Sequence, residues 1–412
     1  MTNADQPYDV AVVGGSLNGQ ALVLALRQAF PDGFRIALIE RQARDAAPPL
    51  DARAYALSLA SKRFLEAIGV WQGVAAEAEP LTAIDITDST PSAQIRPVLL
   101  HYDNRTNEAA ASTTVPSTVL KAALDAEMER TGAADRFDGA GLATLDNGTG
   151  LATLGISDGR SVRARLAVAA GGRPSPLRNL AGIKTIGWSY GQHGIVTTIG
   201  HELPHGGRAI QHFLPSGPFA ILPLKGGTRS SLVWSEKAEI AKQMLALDDG
   251  AFLEEVRRRF SGRLGELTLE GPRQSFPLDL HLARSFYSGR VVLVGDSARG
   301  VHPLAGQGLN IGLRDVAALA EIIVETARLG LDIGSAEPLA RYQRWRRFDS
   351  VASALGMDTL NRLFSNNNAA LRAVRDLGLG LVDRSPALKR MLVAEAAGVT
   401  GELPRLLRGE AL

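Results

Sequence analysis

The chain opens with an apolar run of strand length, Tyr8–Val13, followed by a glycine-rich turn at Gly14–Gly19 and apolar positions at helical spacing over Gln20–Phe30. Pro31-Asp32-Gly33 then turns the chain into a second apolar run, Arg35–Glu40, so this stretch predicts a strand–helix–strand unit. Helical periodicity returns over Ser58–Ile68 and Ser117–Arg130, and strands are predicted near Ile84–Ile86, Ala143, Ala152–Ile156 and Arg163–Ala170. From about residue 186 to 235 the pattern changes to short alternating stretches, Gly194–Ile199, Arg208–Leu214, Phe219–Leu224 and Ser230–Ser235, separated by Pro and Gly. That pattern predicts an antiparallel sheet. A helix over Asp249–Phe260, a buried strand over Arg290–Val294 and mainly helical periodicity from Gly308 onward complete it.

The element order predicts an α/β chain, α+β overall. A discontinuous Rossmann-like domain is expected over residues 1–75, 101–180 and 276–336, an inserted antiparallel-sheet domain over 76–100 and 181–275, and a helical C-terminal tail over 337–412.

Composition narrows the function classes. A hydrophobic content of 45% over 412 residues supports a full core, and a net charge of +2 supplies no field for nucleic acid. The absence of cysteine excludes disulfides, iron–sulfur clusters and thiol nucleophiles. No apolar run approaches the roughly 20 residues of a spanning helix. Met1–Tyr8 lacks the basic and apolar regions of a signal peptide, so a cytoplasmic protein is expected. Asn104-Arg-Thr106 and Asn147-Gly-Thr149 would be glycosylation acceptors only in a secreted chain.

A dinucleotide's pyrophosphate needs backbone N–H groups at a helix N-terminus, with glycines to let the chain turn closely. Gly14, Gly15 and Gly19 supply these, while Ser16 occupies the middle glycine position and adds a Cβ expected to crowd the pyrophosphate. Glu40, at the end of the second strand, suits the adenosine ribose hydroxyls, with Arg41 beside it. This motif alone does not choose between FAD and NAD. The segment from Gly295 to Asp315 does. Asp296 at a strand end suits ribityl hydroxyls, and the glycine-rich helix start Gly306-Gln307-Gly308-Leu309-Asn310 aims N–H groups at the electron-rich edge of a flavin.

Several further segments carry a family likeness: Asp51-Ala-Arg53-Ala-Tyr-Ala-Leu-Ser58, Ile68-Gly-Val-Trp71, Trp188-Ser-Tyr190-Gly-Gln192, Phe213 through Leu224, and His302 through Asp315. With the two glycine segments they resemble the ubiquinone-biosynthesis hydroxylase branch of the FAD-dependent aromatic hydroxylases, over nearly the whole chain. The resemblance implies that Arg53 contacts FAD and that Pro303 with Gly306–Gly308 lines the isoalloxazine ring. It also implies hydroxylation of a polyprenylated phenol or quinol with NAD(P)H and O2, the substrate bound between the flavin and the sheet face carrying Phe213, Pro215, Phe219 and Leu222. Three departures stand near the cofactor: Ser16, Gly171-Gly172 in place of the family's Asp-Gly, and Val115-Pro116-Ser117 in place of Val-Glu-Asn. Arg299 stands where relatives often carry His or Gln. The departures keep two alternatives open, a low-activity flavin-binding scaffold among other ubiquinone-biosynthesis proteins and an FAD-dependent reductase.

His201-Glu-Leu-Pro204-His205 spells a zinc-protease string, but Pro204 forbids the helix that string needs, so no metal is expected. His302 reads either as a proton-relay group beside the flavin or as a turn histidine. In the tail, Leu371, Val374, Leu377 and Leu381 recur at helical spacing near Arg372, Arg375, Arg384, Lys389 and Arg390. That pattern fits a helix packed on its own domain, or a peripheral contact with an anionic inner membrane.

Overall fold

The computed structural model describes residues 6–46, 50–88, 98–106, 109–260, 262–302, 306–365, 380 and 382–412. Pro303 and the tail positions Leu371, Arg372, Val374, Arg375, Leu377 and Leu381 lie outside the described residues.

Tyr8–Val13 pairs in parallel with Ile36–Glu40 on one side and Ser161–Ala169 on the other, and the short strand Val291–Leu293 runs parallel to Ser161–Ala169 further along. Asp135–Asp138 closes one edge, parallel to Ile36–Glu40. Val10–Val13, Ile36–Ile39, Leu166–Ala169 and Val291–Leu293 form unbroken apolar runs because helices cover both faces of a parallel sheet, while the edge strand Asp135–Asp138 is polar. Helix Leu17–Ala29 is buried from Gly19 to Leu26 without a polar face. It meets the sheet and the helices Ser117–Thr131 and Gly308–Arg328, so this middle stretch has no solvent face, and the last turn around Gln28 reaches water.

The second sheet runs in the order Arg299–Gly300, Gln274–Ala283, Thr185–His201, Arg229–Lys237, Gly217–Leu224, Arg208–Leu214, Ala83–Asp88, Val98–Asp103. Two of the expected switch points lie within strands. The switch at 276 falls inside the strand Gln274–Ala283, which pairs along its length with Thr185–Val196, and the switch at 100 falls inside Val98–Asp103, paired with Ala83–Thr87. The short stretch predicted at Gly194–Ile199 is the end of a 17-residue strand, Thr185–His201. Its first residues are exposed and do not alternate, and only the partner strand holds them extended.

One face of this sheet is closed by helices Ala238–Ala246 and Asp249–Phe260 over a core of Ile195, Phe219, Leu232, Trp234 and Phe252. Against the other face lies helix Ala336–Phe364, where Asn361 donates to Gln192 Oε1 at 3.3 Å and the Phe364 ring stacks on Phe213 at 4.0 Å. At the zinc-protease string no helix forms. His201 ends a strand with its ring nitrogens on Leu203 O and Ser230 Oγ, and His205 lies between Leu224 O and Gly207 N.

Candidate functional site

The first half of the site is the turn joining Tyr8–Val13 to its helix. Gly14 has φ +111°, and a Cβ there would stand 2.3 Å from Gly171 Cα. A Cβ on Gly19 would stand 1.9 Å from Gly14 O. Both glycines are required by close backbone approach, and the turn rests on the Gly171-Gly172 departure itself. Ser16 differs. It takes the N-cap position at φ −77°, an ordinary conformation, and its hydroxyl donates to Ala170 O at 3.1 Å instead of capping the helix. The first-turn N–H groups therefore have no side-chain cap and no acidic neighbour in that turn. Glu40 Oε2 accepts from Gly15 N at 2.5 Å, with Oε1 on Gln42 N at 3.0 Å, and Arg41 is exposed beside it.

The second half begins where Val291–Leu293 ends. Gly295 (φ +57°) donates its N–H to Asp315 Oδ2 at 3.0 Å, while Asp296 turns outward, exposed between buried Gly295 and Ser297. Asp315 is fully buried and carries two arginines, Arg299 on Oδ2 at 2.7 Å and Arg346 on Oδ1 at 2.9 Å. Asn18 bridges the halves: a Cβ on Gly295 or on Gly312 would lie 2.3 or 2.6 Å from its Nδ2, so both glycines make room for this one side chain. Its Oδ1 is buried without a partner among the described residues. Helix Gly308–Arg328 starts after Gly306 (φ +62°) and the N-cap Gln307, again with no side-chain cap and no acid in the first turn. Leu309 is buried beneath it.

Two of the expected cofactor residues also bond within the chain. The Asn310 side chain is spent on strand Ala54–Ser58, donating to Ala56 O and accepting from Ser58 N, both at 2.9 Å, which leaves its main chain for a cofactor. Arg53 forms a bidentate pair with Asp51, 2.8 Å on each arm, and Asp51 also accepts from Ser117 Oγ at 2.6 Å. Burial opposes ionisation of Asp51, but those hydrogen bonds outweigh it and hold the carboxyl below its ordinary value.

On the sheet side, strand alternation separates the four expected substrate residues. Phe213 and Leu222 lie on the face toward helix Ala336–Phe364, Pro215 is half-buried at the turn, and Phe219 points the other way. Phe219 belongs to the helix-covered core, 5.9 Å from the Trp234 ring, which removes it from the substrate group.

Residues 7–348 match the FAD binding domain family. The chain belongs to this family. It is 40% identical to a ubiquinone hydroxylase of Rhodospirillum rubrum, over 99% of this chain and 94% of that one. It is 33% identical to the 3-demethoxyubiquinol 3-hydroxylase of Escherichia coli, over 97% and 100% of the two chains. Its fold is similar to that of p-nitrophenol 4-monooxygenase from Pseudomonas putida, with a TM-score of 0.76 at 18% identity over 95% and 98% of the two chains.

The residues present fit the family's dinucleotide. Two uncapped helix starts suit the pyrophosphate and the flavin edge, Glu40 and Asp296 are carboxylates at the two strand ends, and the orphaned Asn18 Oδ1 lies between the halves. If Asp296 binds the ribityl hydroxyls, replacing it by alanine would remove charge-assisted hydrogen bonds worth about 1.5–3 kcal/mol each. FAD affinity is expected to fall at least about tenfold, and unchanged affinity in a fluorescence titration would sink the assignment of Asp296. Asn18 and Asp315 were not among the expected site residues. A glycine inside a helix, Gly312, was the available sign of a close approach by another side chain.

Proposed function

We propose that this family member is a monooxygenase that hydroxylates a prenylated phenol or quinol ring in ubiquinone biosynthesis, consuming NAD(P)H and O2. The observation that carries the reading is the joining of the two FAD-type helix starts through Asn18. FAD would be held by Gly14, Gly15, Ser16, Gly19, Glu40, Arg41, Arg53, Asp296 and the Gly306–Asn310 backbone. Bound there, the flavin supplies the redox chemistry, accepting a hydride from NAD(P)H and activating O2. The protein's part is orientation and exclusion of water: Phe213, Pro215 and Leu222 offer an apolar wall for the ring and its prenyl tail.

Among the described residues no helix is long and apolar enough to cross a membrane. A prenylated substrate then calls for peripheral contact or delivery by another pathway protein. Helix Pro386–Ala396 supports contact, since Leu388, Met391 and Leu392 are exposed at helical spacing beside Lys389 and Arg390.

Purified holoprotein given NADH, a short-chain prenylated phenol and 18O2 is expected to release a hydroxylated ring carrying one labelled oxygen. NADH oxidation without label would favour the reductase alternative, and FAD binding without NADH oxidation the scaffold.

A further inference from the structure

His302 stands where the two units meet, at the end of the Arg299–Gly300 strand and just ahead of the helix start at Gly308. It is 1% exposed, and neither Nδ1 nor Nε2 has a hydrogen-bond partner among the described residues. The neighbours bury it without satisfying it. The Tyr190 ring meets the imidazole edge to face at 5.3 Å, but the Tyr190 hydroxyl donates to Asp358 Oδ1 at 3.0 Å, where Trp188 Nε1 also donates at 3.2 Å. Arg173 is spent on Asp279 at 2.7 Å and on Pro277 O at 3.2 Å. The chain's own structural histidines behave differently: His201 and His205, both buried, each have both ring nitrogens hydrogen-bonded.

A neutral imidazole carries one N–H donor and one bare acceptor nitrogen, so the buried ring calls for a partner that the described residues do not supply. A ligand hydroxyl would match the bare nitrogen in this partly aromatic corner. Resting on the hydroxylase reading above, we propose that His302 is the hydrogen-bond partner of the substrate's ring hydroxyl and sets the orientation of the ring before the Gly308 helix start. Burial, assisted by the positive charge of Arg173, lowers the imidazole to about 4. A phenol titrates near 10, as tyrosine does, so the proton stays on the substrate oxygen and His302 acts as an acceptor, binding the hydroxyl without moving charge. A site built in this way rejects an analogue that lacks the hydroxyl proton, because the buried nitrogen is then left unpaired.

The test compares binding of a geranylated phenol and its methyl ether to FAD-loaded protein by calorimetry. Wild type is expected to favour the phenol by at least about tenfold, one good hydrogen bond's worth. In His302→Leu the two should bind within about twofold of each other, with FAD content unchanged, and His302→Gln should restore part of the preference. Should the leucine variant fold poorly, 15N signals of the wild-type imidazoles give an independent readout. The phenol, and not the ether, is expected to shift the resonance that disappears in His302→Gln. A phenol preference retained in His302→Leu, or no shift of that resonance, overturns the assignment alone. Failure of wild type to bind either compound overturns the hydroxylase reading and takes this assignment with it.

Discussion

Replacing Asp315 by asparagine is expected to cost about 3–5 kcal/mol of folding stability, because it leaves two buried guanidinium groups facing a neutral side chain. Arg299 and Arg346 are 3% and 0% exposed, and each already has one Nη2 without a partner. Arg346 keeps Asp349 at 2.7 Å as a second anion, so the larger share of the loss falls on Arg299. The same carboxylate accepts from Gly295 N, so the turn that presents Asp296 should loosen and FAD affinity should fall with stability. Urea unfolding of the FAD-free proteins followed by circular dichroism measures the first effect separately from the loss of FAD affinity. A loss below about 1 kcal/mol would mean that water or rearranged side chains already neutralise the pair, as they do at exposed sites.

Gly19→Ala is expected to abolish FAD retention, with affinity down by a factor on the order of a hundred, about 2.7 kcal/mol. Its Cβ would occupy the position of Gly14 O, 1.9 Å away, with the Ala170 Cβ at 3.3 Å on another side. Main chain cannot rotate aside as a flexible side chain can, so the turn must open and the first-turn N–H groups lose their common aim. Ser16→Gly is the comparison. The native φ of −77° needs no glycine, and exchanging an N-cap serine for glycine costs only a few tenths of a kcal/mol, so a change of about threefold or less is expected. Equal losses in the two variants, measured by flavin titration, would show that the whole turn tolerates strain and that Gly19 has no special place.

The two glycine-turn elements were legible because their signals are local. A turn that packs backbone on backbone demands glycine, a strand buried on both faces demands an unbroken apolar run, and both appear within a few residues at Tyr8–Gly19 and Val291–Gly295. The sequence by itself therefore determined the strand–turn–helix unit, the Gly295–Asp315 segment and the existence of an antiparallel sheet between them. It also determined that two faces alternate along Gly217–Leu224. Which face would be sealed by helices was decided only in three dimensions, where Asp249–Phe260 covers Phe219 and leaves Leu222 on the other side. Likewise a polar residue states what it can bond, not what it meets. Asn310 meets the strand Ala54–Ser58 some 250 residues earlier, Asp315 meets Arg346, Asn18 meets the glycines at 295 and 312, and the His302 ring finds no hydrogen-bond partner among the described residues. Those outcomes depend on long-range packing that no local period encodes, because the cost of an unmatched buried group is set by whatever the rest of the fold brings beside it.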